Sequence, residues 1–418
     1  MASQPATLFE ANGSFGKYMF NVGAPETSML RKVAELMQTA TQKRLQDEIS
    51  AEAQMMQYGA PEGDPRFLTA LVKFLSEEYK EPIDECALVE TAGATSGLFY
   101  MLAQMFPKRC TVYCEEMTYF IALNIMRMLE FNFTAVPLQS DGIDVAALER
   151  QWEGDLKDAQ PKESDTFSAV LFLVPMFNNP TGTVLSEEKR HALIRLARKY
   201  NVLIISDDVY DLLYFPGSSP PRRLIAYDNT ADPDYKGNVI SNCSFSKLLS
   251  PGLRLGWMEL PKWIRQKYWI KSPIVDSSGG ISNYVGGVVA AALEDGSAAK
   301  LISETRQELA ARCGAQLAVL DQDLPKQCQI YARPQGGYFI FIKLPPGANA
   351  TALHVYTKEK YGIRFQEGWK FWSGDASKRE EADRCLRLSW AYHQVPSLVE
   401  GTKLFCQAVH EYLADSAK

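Results

Sequence analysis

The sequence predicts an α/β protein in which a mostly parallel sheet lies between two layers of helices, joined to a smaller α+β domain. Between about residues 87 and 260, short apolar runs rich in β-branched residues alternate with amphipathic segments at helical spacing. After Asp295 the pattern changes to a long helical segment, a region of mixed strands and helices, and a last helix. The chain of 418 residues is also too long for one ordinary core, so we expect two domains.

Seven runs are the candidate strands of the large sheet. Each is short and apolar on both alternating faces, which is typical of strands covered on both sides. In chain order they are ALVET (87–91), TVYCE (111–115), FTAVPL (133–138), SAVLFLV (168–174), VLIIS (202–206), NVISN (238–242) and LRLGWMEL (253–260).

The clearest helix between these strands is SEEKRHALIRLARKY, residues 186–200. Ser186 can cap its N-terminus, and Glu187 and Glu188 lie in the positive first turn. Apolar residues recur at helical spacing and predict the face that packs on the sheet. These residues are Ala192, Leu193, Leu196 and Ala197.

The domain limits follow from the change of pattern. We expect residues 1–45 to be an N-terminal segment that contributes to the small domain, residues 46–295 to form the large domain and residues 296–418 the small one. The small domain should contain the helix SETRQELAARCGAQLAVL, the strand region QIYARPQGGYFIFIKLP, the strand CLRLSWAY and a last helix. PGSSPPRR (216–223) and DNTADPDYKG (228–237) are predicted loops of the large domain.

Composition and charge exclude several classes of partner. Hydrophobic residues make up 46% and charged residues 22% of the chain, and the net charge is −6. Without a basic stripe, nucleic acid and anionic membranes are poor partners. No run approaches the roughly 18 apolar residues of a membrane helix, and the first twenty residues lack the features of a secretory or mitochondrial leader.

The cysteines and histidines favour neither a disulfide framework nor a metal site. The eight cysteines form no CxxC pair, and we expect buried free thiols and a cytoplasmic location. They are Cys86, Cys110, Cys114, Cys243, Cys313, Cys328, Cys385 and Cys406. The four histidines lie far apart and lack metal-ligand spacing, so no metal is expected.

GATSG, residues 93–97, follows the first predicted strand and opens a helix. Small residues there allow backbone N–H groups to face an anion at the helix N-terminus. The motif lacks the spacing of the GxGxxG dinucleotide loop and of the GxxxxGK phosphate loop. A tight strand-to-helix turn is the alternative interpretation.

Two further motifs lie at the carboxyl ends of predicted strands, where α/β sheets bind ligands. Asn179 lies in FNNPTG, and Asp207 lies in SDDVY with Tyr210 three residues later. A carboxylate beside an apolar core needs a partner, and Asp207 and Tyr210 could reach one ligand. The alternatives are that Asn179 caps a turn and that the acids cap a helix.

Lys247 lies in SFSKLLSPGLRLGW, with Ser244, Ser246 and Arg254 close by in the sequence. A lysine and an arginine in one apolar, hydroxyl-rich segment indicate a bound anion and an amine held away from bulk water. Removal from bulk water and the nearby cation of Arg254 both lower the pKa of a lysine, as a nucleophilic amine requires. A surface lysine is the alternative, and it fits poorly with a strand end.

Two more side chains are candidates for ligand contacts. Tyr119, in EMTYFIAL, follows a strand end, where its ring can stack on a flat ligand or fill the core. Arg387, in CLRLSW, lies in an apolar strand of the small domain, where an unpaired guanidinium is costly. A carboxylate, either internal or from a substrate, would match its fork geometry.

The order of these motifs is more specific than any one of them. GATSG, a strand-end tyrosine, NNPTG, DxxY, SxSK with an arginine seven residues on, and RLSW follow one another along the chain. The series resembles the class I/II aminotransferases of fold type I, which use pyridoxal 5′-phosphate, and the likeness extends from about Asn21 to Leu413. YGAPEGDPRFLTAL, SSGGISNY and GGYFIFIKLP look closest to the 2-aminoadipate, aromatic and branched-chain transaminases.

This resemblance implies an enzyme that moves the α-amino group of a 2-aminoadipate, aromatic or aliphatic amino acid to a 2-oxo acid such as 2-oxoglutarate or pyruvate. Lys247 would form the Schiff base with the cofactor and later move the α-proton of the substrate. Asp207 would pair with the pyridine nitrogen and keep the ring an electron sink. Tyr210 and Asn179 would hydrogen-bond the phenolic oxygen, and Tyr119 would stack on the ring.

The resemblance also implies how the remaining groups bind. The cofactor phosphate would rest on the amides of Ala94 and Thr95 and the side chains of Ser244, Ser246 and Arg254. Arg387 would bind the substrate α-carboxylate, with Gly23 beside it. Tyr58 would reach the phosphate of a neighbouring subunit, which implies a homodimer.

Other interpretations remain open at this point. A lyase of the same fold, either a C–S β-lyase or an enzyme like aminocyclopropane-carboxylate synthase, would keep the same cofactor residues. A non-catalytic regulator with an aminotransferase-like half would need an added DNA-binding segment, for which we expect no room before Gly23. A nucleotide-dependent dehydrogenase is disfavoured because GxGxxG is missing.

Overall fold

The computed structural model describes residues 16–157, 167–219 and 222–416, and it confirms the predicted α/β class. The strands of these residues, numbered along the chain, are β1 (Tyr18–Met19), β2 (Leu88–Thr91), β3 (Thr111–Glu115), β4 (Asn132–Val136), β5 (Leu138–Gln139), β6 (Gly142–Ile143), β7 (Ala169–Leu173), β8 (Val202–Asp207), β9 (Val239–Ser244), β10 (Gly256–Glu259), β11 (Gln329–Ile330), β12 (Phe339–Lys343), β13 (Ile363–Arg364), β14 (Gln366–Glu367) and β15 (Cys385–Ser389). The helices are α1 (Thr27–Ser50), α2 (Pro65–Tyr79), α3 (Ala94–Met105), α4 (Phe120–Met128), α5 (Val145–Asp155), α6 (Glu187–Tyr200), α7 (Lys262–Ile264), α8 (Pro273–Asp276), α9 (Asn283–Glu294), α10 (Ser297–Asp323), α11 (Ala350–Tyr361), α12 (Glu380–Asp383) and α13 (Val395–Ser416).

The large sheet has seven strands in the order β2-β10-β9-β8-β7-β3-β4. All seven predicted strands are in it. Strand β10 is antiparallel to both of its neighbours, and the other strands run parallel to one another. The expectation that every strand is buried on both faces is wrong for β4, where residues 132–135 are exposed or half-buried. Strand β4 is more exposed because it lies at the edge of the sheet, where β3 flanks it on one side and no strand of the described chain flanks it on the other.

Alternate residues of the sheet enter two separate cores, which is the reason that the domain has three layers. In β8, Leu203 and Ile205 pack in one core, and Val202 and Ile204 pack in the other. Helix α6 covers the second core through the predicted face, although Ala192 is only half-buried. As predicted, the Ser186 hydroxyl caps this helix by accepting from the backbone N–H of Lys189.

The second sheet is antiparallel in the order β11-β12-β15-β14. The long helix predicted in this region, α10, begins six residues earlier than the predicted segment and packs on α13. Arg387 of β15 lies opposite Phe341 of β12 and Gln366 of β14. Helix α1 packs on α9 and α10. The domain limits at residues 45 and 295 stay a prediction.

The parallel strands place their carboxyl ends along one edge of the large sheet. The segments that follow β3, β7, β8 and β9 there carry Tyr119, Asn179, Tyr210 and Lys247. The interpretation of SDDVY as a helix cap is wrong, because Asp207 ends β8 and a non-helical turn follows.

The loops, the cysteines and the lengths of the helices test further expectations from the sequence. The loop 228–237 is confirmed, while Pro220 and Pro221 of the other predicted loop and the first fifteen residues lie outside the described residues. None of the eight cysteines forms a disulfide. The expected burial is wrong for Cys86, which is exposed because it lies in a surface turn before β2, and Cys110 and Cys328 are only half-buried. Across residues 16–157, 167–219 and 222–416, no helix has both the length and the apolar character that crossing a bilayer requires.

Candidate active site

A cavity of about 460 Å³ opens at the carboxyl edge of the large sheet, beneath β15 of the second sheet. It brings together all the residues singled out in the sequence except Tyr58. These residues are Gly23, Ala94, Thr95, Tyr119, Asn179, Asp207, Tyr210, Ser244, Ser246, Lys247, Arg254 and Arg387.

Lys247 lies in the turn after β9, half-buried at the cavity wall. Its Nζ donates a 2.6 Å hydrogen bond to the carbonyl oxygen of Gly23. Burial lowers the pKa of the amine to about 8, and repulsion from Arg387 and Arg254 acts in the same direction, while Asp207 opposes them. This amine therefore loses its proton more readily than a surface lysine.

Asp207 is 6% exposed, and its Oδ1 has no hydrogen-bond partner within the described parts of the chain. Burial, together with the charge of Asp208, raises the pKa of this carboxyl to about 7, although Lys247 opposes them. Asp208 differs because Ser206 and Ser241 donate hydrogen bonds to its two oxygens. Asp207 is thus the acid of this pair that faces the cavity with an unused acceptor.

A cradle for an anion lies between the start of α3 and the segment after β9. The Arg254 guanidinium donates to Ser246 Oγ at 3.4 Å and to the Ala92 carbonyl at 3.1 Å, and Ser244 donates to Ser246 at 2.9 Å. Gly93 has a φ of +94°, and a Cβ at this position would lie 2.8 Å from Arg254 Nη2. The close approach of the Arg254 guanidinium to residue 93 therefore requires glycine at this position.

Arg387 is 4% exposed and spans the cavity wall without a carboxylate partner among the described residues. Its Nη1 donates to Asn179 Oδ1 at 2.7 Å, its Nη2 donates to the Asn21 carbonyl at 2.9 Å, and its Nε has no partner there. The guanidinium carbon lies 3.9 Å from the ring centroid of Phe339. Burial lowers the pKa of Arg387 to about 10.

Two tyrosines complete the wall. Tyr119 directly precedes α4, and Tyr210 is buried with its ring 5.8 Å from that of Phe339. Burial raises the pKa of both phenols, so both stay protonated at neutral pH and can donate hydrogen bonds.

Tyr58 is the predicted residue that the structure does not bring to the cavity. It is 83% exposed and lies in a separate surface depression with Met56, Ile281 and Tyr284. Within one chain it therefore contacts no part of the cradle.

Sequence reasoning missed several residues of the cavity. Asn242 donates to the Ala94 carbonyl at 3.0 Å, and its position as a polar residue in a buried strand is a signal that could have found it. Phe339 and the backbone of Asn21 contact Arg387, and no local pattern marks them. The other missed wall residues include Phe120, Ile121, Ile125, Gln366 and Lys370.

The cavity fits pyridoxal 5′-phosphate. The unused Asp207 oxygen suits a protonated pyridine nitrogen, the cradle at Arg254 suits a phosphate, and Lys247 supplies an amine for an aldehyde. No group of three or more histidine, cysteine or acidic side chains suited to a metal ion occurs within the described ranges.

The fold and the cavity thus define an enzyme of the class that works on amino groups with pyridoxal 5′-phosphate. Residues 17–395 match the family described as Aminotransferase class I and II, and the chain belongs to this family. It is an aminotransferase with pyridoxal 5′-phosphate as its cofactor.

Three relatives illustrate the similarity. The aromatic-amino-acid aminotransferase 1 of Thermococcus litoralis is 26% identical over 93% of this chain and 86% of its own length. The 2-aminoadipate transaminase of Thermus thermophilus is 28% identical over 78% of this chain and 75% of its own. The crystal structure of Pyrococcus horikoshii kynurenine aminotransferase, in complex with PMP, is 26% identical with a TM-score of 0.80 and covers 98% of this chain and 96% of that one.

Proposed function

We propose that this enzyme moves the α-amino group of a 2-aminoadipate, aromatic or aliphatic amino acid to a 2-oxo acid such as 2-oxoglutarate or pyruvate. The observation that carries this proposal is the state of Arg387, a buried guanidinium at the cavity wall with no carboxylate partner in the described chain and a free Nε. A buried cation of this kind is costly unless a ligand anion completes it. An amino acid and a 2-oxo acid both bring an α-carboxylate.

When bound, pyridoxal 5′-phosphate supplies an aldehyde that takes up the amino group and a ring that withdraws electrons from the substrate α-carbon. Lys247, which lines the cavity, would be the amine that reaches that carbon. Its lowered pKa of about 8 allows it to accept the α-proton and to return it, a role that typically contributes ~10²–10⁴-fold to rate.

Asp207 would hold the pyridine nitrogen in its protonated form. Asp207 is the last residue of β8, and its Oδ1 has no hydrogen-bond partner in the described chain. Its carboxyl therefore offers a fixed negative charge out of contact with bulk water. The cation would in turn lower the pKa of Asp207 from about 7 and keep it ionised.

The other cavity residues would position the cofactor. The phosphate would be bound by the amides of Ala94 and Thr95 and the side chains of Ser244, Ser246 and Arg254. Tyr119 would stack on the ring, and Tyr210 and Asn179 would bind its phenolic oxygen. Residue 23 must be glycine for Phe339 to keep its place against Arg387, because a Cβ at this position would lie 2.7 Å from the Phe339 ring.

We further propose a homodimer in which Tyr58 binds the phosphate in its partner's cavity. Support comes from three exposed apolar side chains, Met56, Tyr58 and Tyr284, which line one surface depression and would otherwise face water. A cytoplasmic location and the domain limits at residues 45 and 295 complete the proposal. Eight cysteines without a disulfide among them support a reducing compartment.

Reduction by borohydride tests the roles at the cavity. The cofactor should become fixed to Lys247 in the purified protein, and peptide mapping would locate it; labelling of Lys370, the other lysine of the cavity, would overturn the assignment. Incubation with an amino acid and 2-oxoglutarate should yield a new amino acid and a new 2-oxo acid in equal amounts. Release of ammonia and pyruvate without a new amino acid would contradict the proposed function.

A further inference from the structure

Basic side chains outnumber acidic ones on the wall of the cavity. Among the residues that the structure describes, this wall carries four basic side chains, Lys247, Arg254, Lys370 and Arg387, and one acidic side chain, Asp207. In the proposed function the phosphate faces Arg254, the α-carboxylate faces Arg387, and Lys247 is the reacting amine. Lys370 is then the basic residue of the wall that neither the cofactor nor a monocarboxylic substrate would use.

Lys370 is placed at the cavity by its neighbours in the second sheet. It lies in the 3₁₀ turn Gly368–Phe371, which directly follows β14. Gln366 of β14 is the cross-strand partner of Arg387, and both line the same cavity as Lys370. The carboxylate-binding Arg387 and Lys370 are therefore carried by adjacent parts of one sheet.

Glu367 holds the ammonium of Lys370 in an ion pair and leaves some of its N–H donors available. Glu367 Oε2 lies 2.8 Å from Lys370 Nζ, and Glu367 Oε1 lies 2.8 Å from His354 Nδ1. These contacts lower the pKa of Glu367 to about 2, although its burial opposes them, so Glu367 is a permanent anion. An ammonium has three N–H donors, and the ion pair with Glu367 occupies one of them. The side chain of Lys370 is 35% exposed, so the remaining donors are open to a ligand.

We propose that Lys370 is a specificity-determining residue that binds the distal carboxylate of dicarboxylic substrates, the class that includes 2-oxoglutarate and 2-aminoadipate. This inference rests on the proposed function and narrows its substrates. The apolar wall of Phe120, Ile121 and Ile125 accepts an uncharged side chain as well, so Lys370 adds a preference for the second carboxylate and does not exclude aromatic or aliphatic substrates.

The test compares holoenzyme variants with two acceptors, 2-oxoglutarate and the uncharged 2-oxohexanoate. Lys370→Met should lower kcat/KM for 2-oxoglutarate about 10- to 100-fold and change it less than about twofold for 2-oxohexanoate, since a hydrogen-bonded ion pair is lost only with the former. Lys370→Arg should retain most of the preference. Lys343→Met is a matched control, because Lys343 is also about one-third exposed and pairs with a glutamate, Glu381, away from the cavity.

A binding measurement separates recognition from turnover. Calorimetry of the holoenzyme with glutarate and with pentanoate should show tighter binding of glutarate, and Lys370→Met should abolish the difference. Equal losses with both acceptors, or an unchanged preference, would overturn the assignment of Lys370. A wild-type enzyme that binds glutarate through Lys370 but transaminates no amino acid would instead overturn the proposed function.

Discussion

Asn179 Oδ1 accepts a 2.7 Å hydrogen bond from Arg387 Nη1, and this contact joins a turn of the large sheet to a strand of the second sheet. The two residues are 208 positions apart in the chain. Asn179 is neutral, so it orients the guanidinium without cancelling its charge. The arrangement leaves Arg387 fixed and cationic, as a receptor for a substrate carboxylate should be.

We predict that Arg387→Lys raises KM for amino acids and 2-oxo acids by about 10- to 100-fold, because an ammonium cannot reproduce the fork that matches a carboxylate. Steady-state kinetics with several amino donors would measure the change. Arg384→Lys is the matched control, since Arg384 lies three residues away and contacts Glu381 and the Leu344 carbonyl outside the cavity. Similar kinetic losses in both variants would contradict a carboxylate-binding role for Arg387.

Gly93→Ala should weaken binding of pyridoxal 5′-phosphate by about tenfold or more. The new Cβ would lie 2.8 Å from Arg254 Nη2 and would displace the guanidinium from the phosphate cradle. Titration of the cofactor by absorbance would measure the dissociation constant.

The control for Gly93 separates contact from backbone strain. Gly217 also has a positive φ, +89°, and a Cβ there would meet no atom within 4 Å. Gly217→Ala should therefore cost roughly 1–2 kcal/mol of stability without changing cofactor affinity. An equal loss of affinity in both variants would show that strain, and not the contact with Arg254, is responsible.

Asp207→Asn should stabilise the apoprotein at alkaline pH while weakening its hold on the cofactor. Folding raises the pKa of Asp207 from an ordinary 3.8 to about 7. Ionisation is therefore harder in the folded protein, and the resulting destabilisation is absent below pH 3.8, grows as pH rises to about 7 and is constant above it. The amide removes this penalty, which is of the order of 4 kcal/mol.

Denaturant unfolding of the apoprotein at pH 5 and pH 8 would test this prediction. The stability gained by Asp207→Asn should be larger at pH 8, whereas the cofactor should bind at least tenfold more weakly because the negative charge that would pair with the pyridine nitrogen is gone. A stability difference that is the same at both pH values would show that Asp207 ionises normally in the folded chain.

The sequence could predict those parts of the fold and the cavity that depend on local pattern. Alternating apolar runs located all seven strands of the large sheet, and unusual charges beside them pointed to Lys247, Asp207 and Arg387. In each case the physical signal is a polar group whose burial needs a partner. Such a signal is present in one short stretch of sequence.

The missed features depend on relationships between distant segments. The direction of β10 is an example, because a strand buried on both faces has the same apolar pattern whether it runs parallel or antiparallel. Lys370 looks like any lysine of a surface turn until β14 pairs with β15 and brings it to the cavity. The contact of Phe339 with Arg387 likewise requires the register of β12 on β15.

Glu115 should act as a neutral buried anchor for two segments of the cavity. It is 2% exposed, and its Oε2 accepts from Thr118 Oγ1, the backbone N–H of Val174 and Asn178 Nδ2. Thr118 and Asn178 directly precede Tyr119 and Asn179 in the chain. Burial raises the pKa of Glu115 to about 8, so the carboxyl is mostly protonated at pH 7.

Glu115→Gln should therefore be close to neutral at pH 7, because the amide keeps the acceptor oxygen and the absence of charge. Glu115→Leu should cost about 2–5 kcal/mol, since it leaves buried donors without an acceptor, and it should also raise KM as the two segments shift. Thermal unfolding and steady-state kinetics would measure both effects. Glu116→Leu removes an acceptor that binds the Leu138 amide away from the cavity, and it should leave KM unchanged. A Glu115→Gln variant as unstable as Glu115→Leu would show that Glu115 acts as an anion.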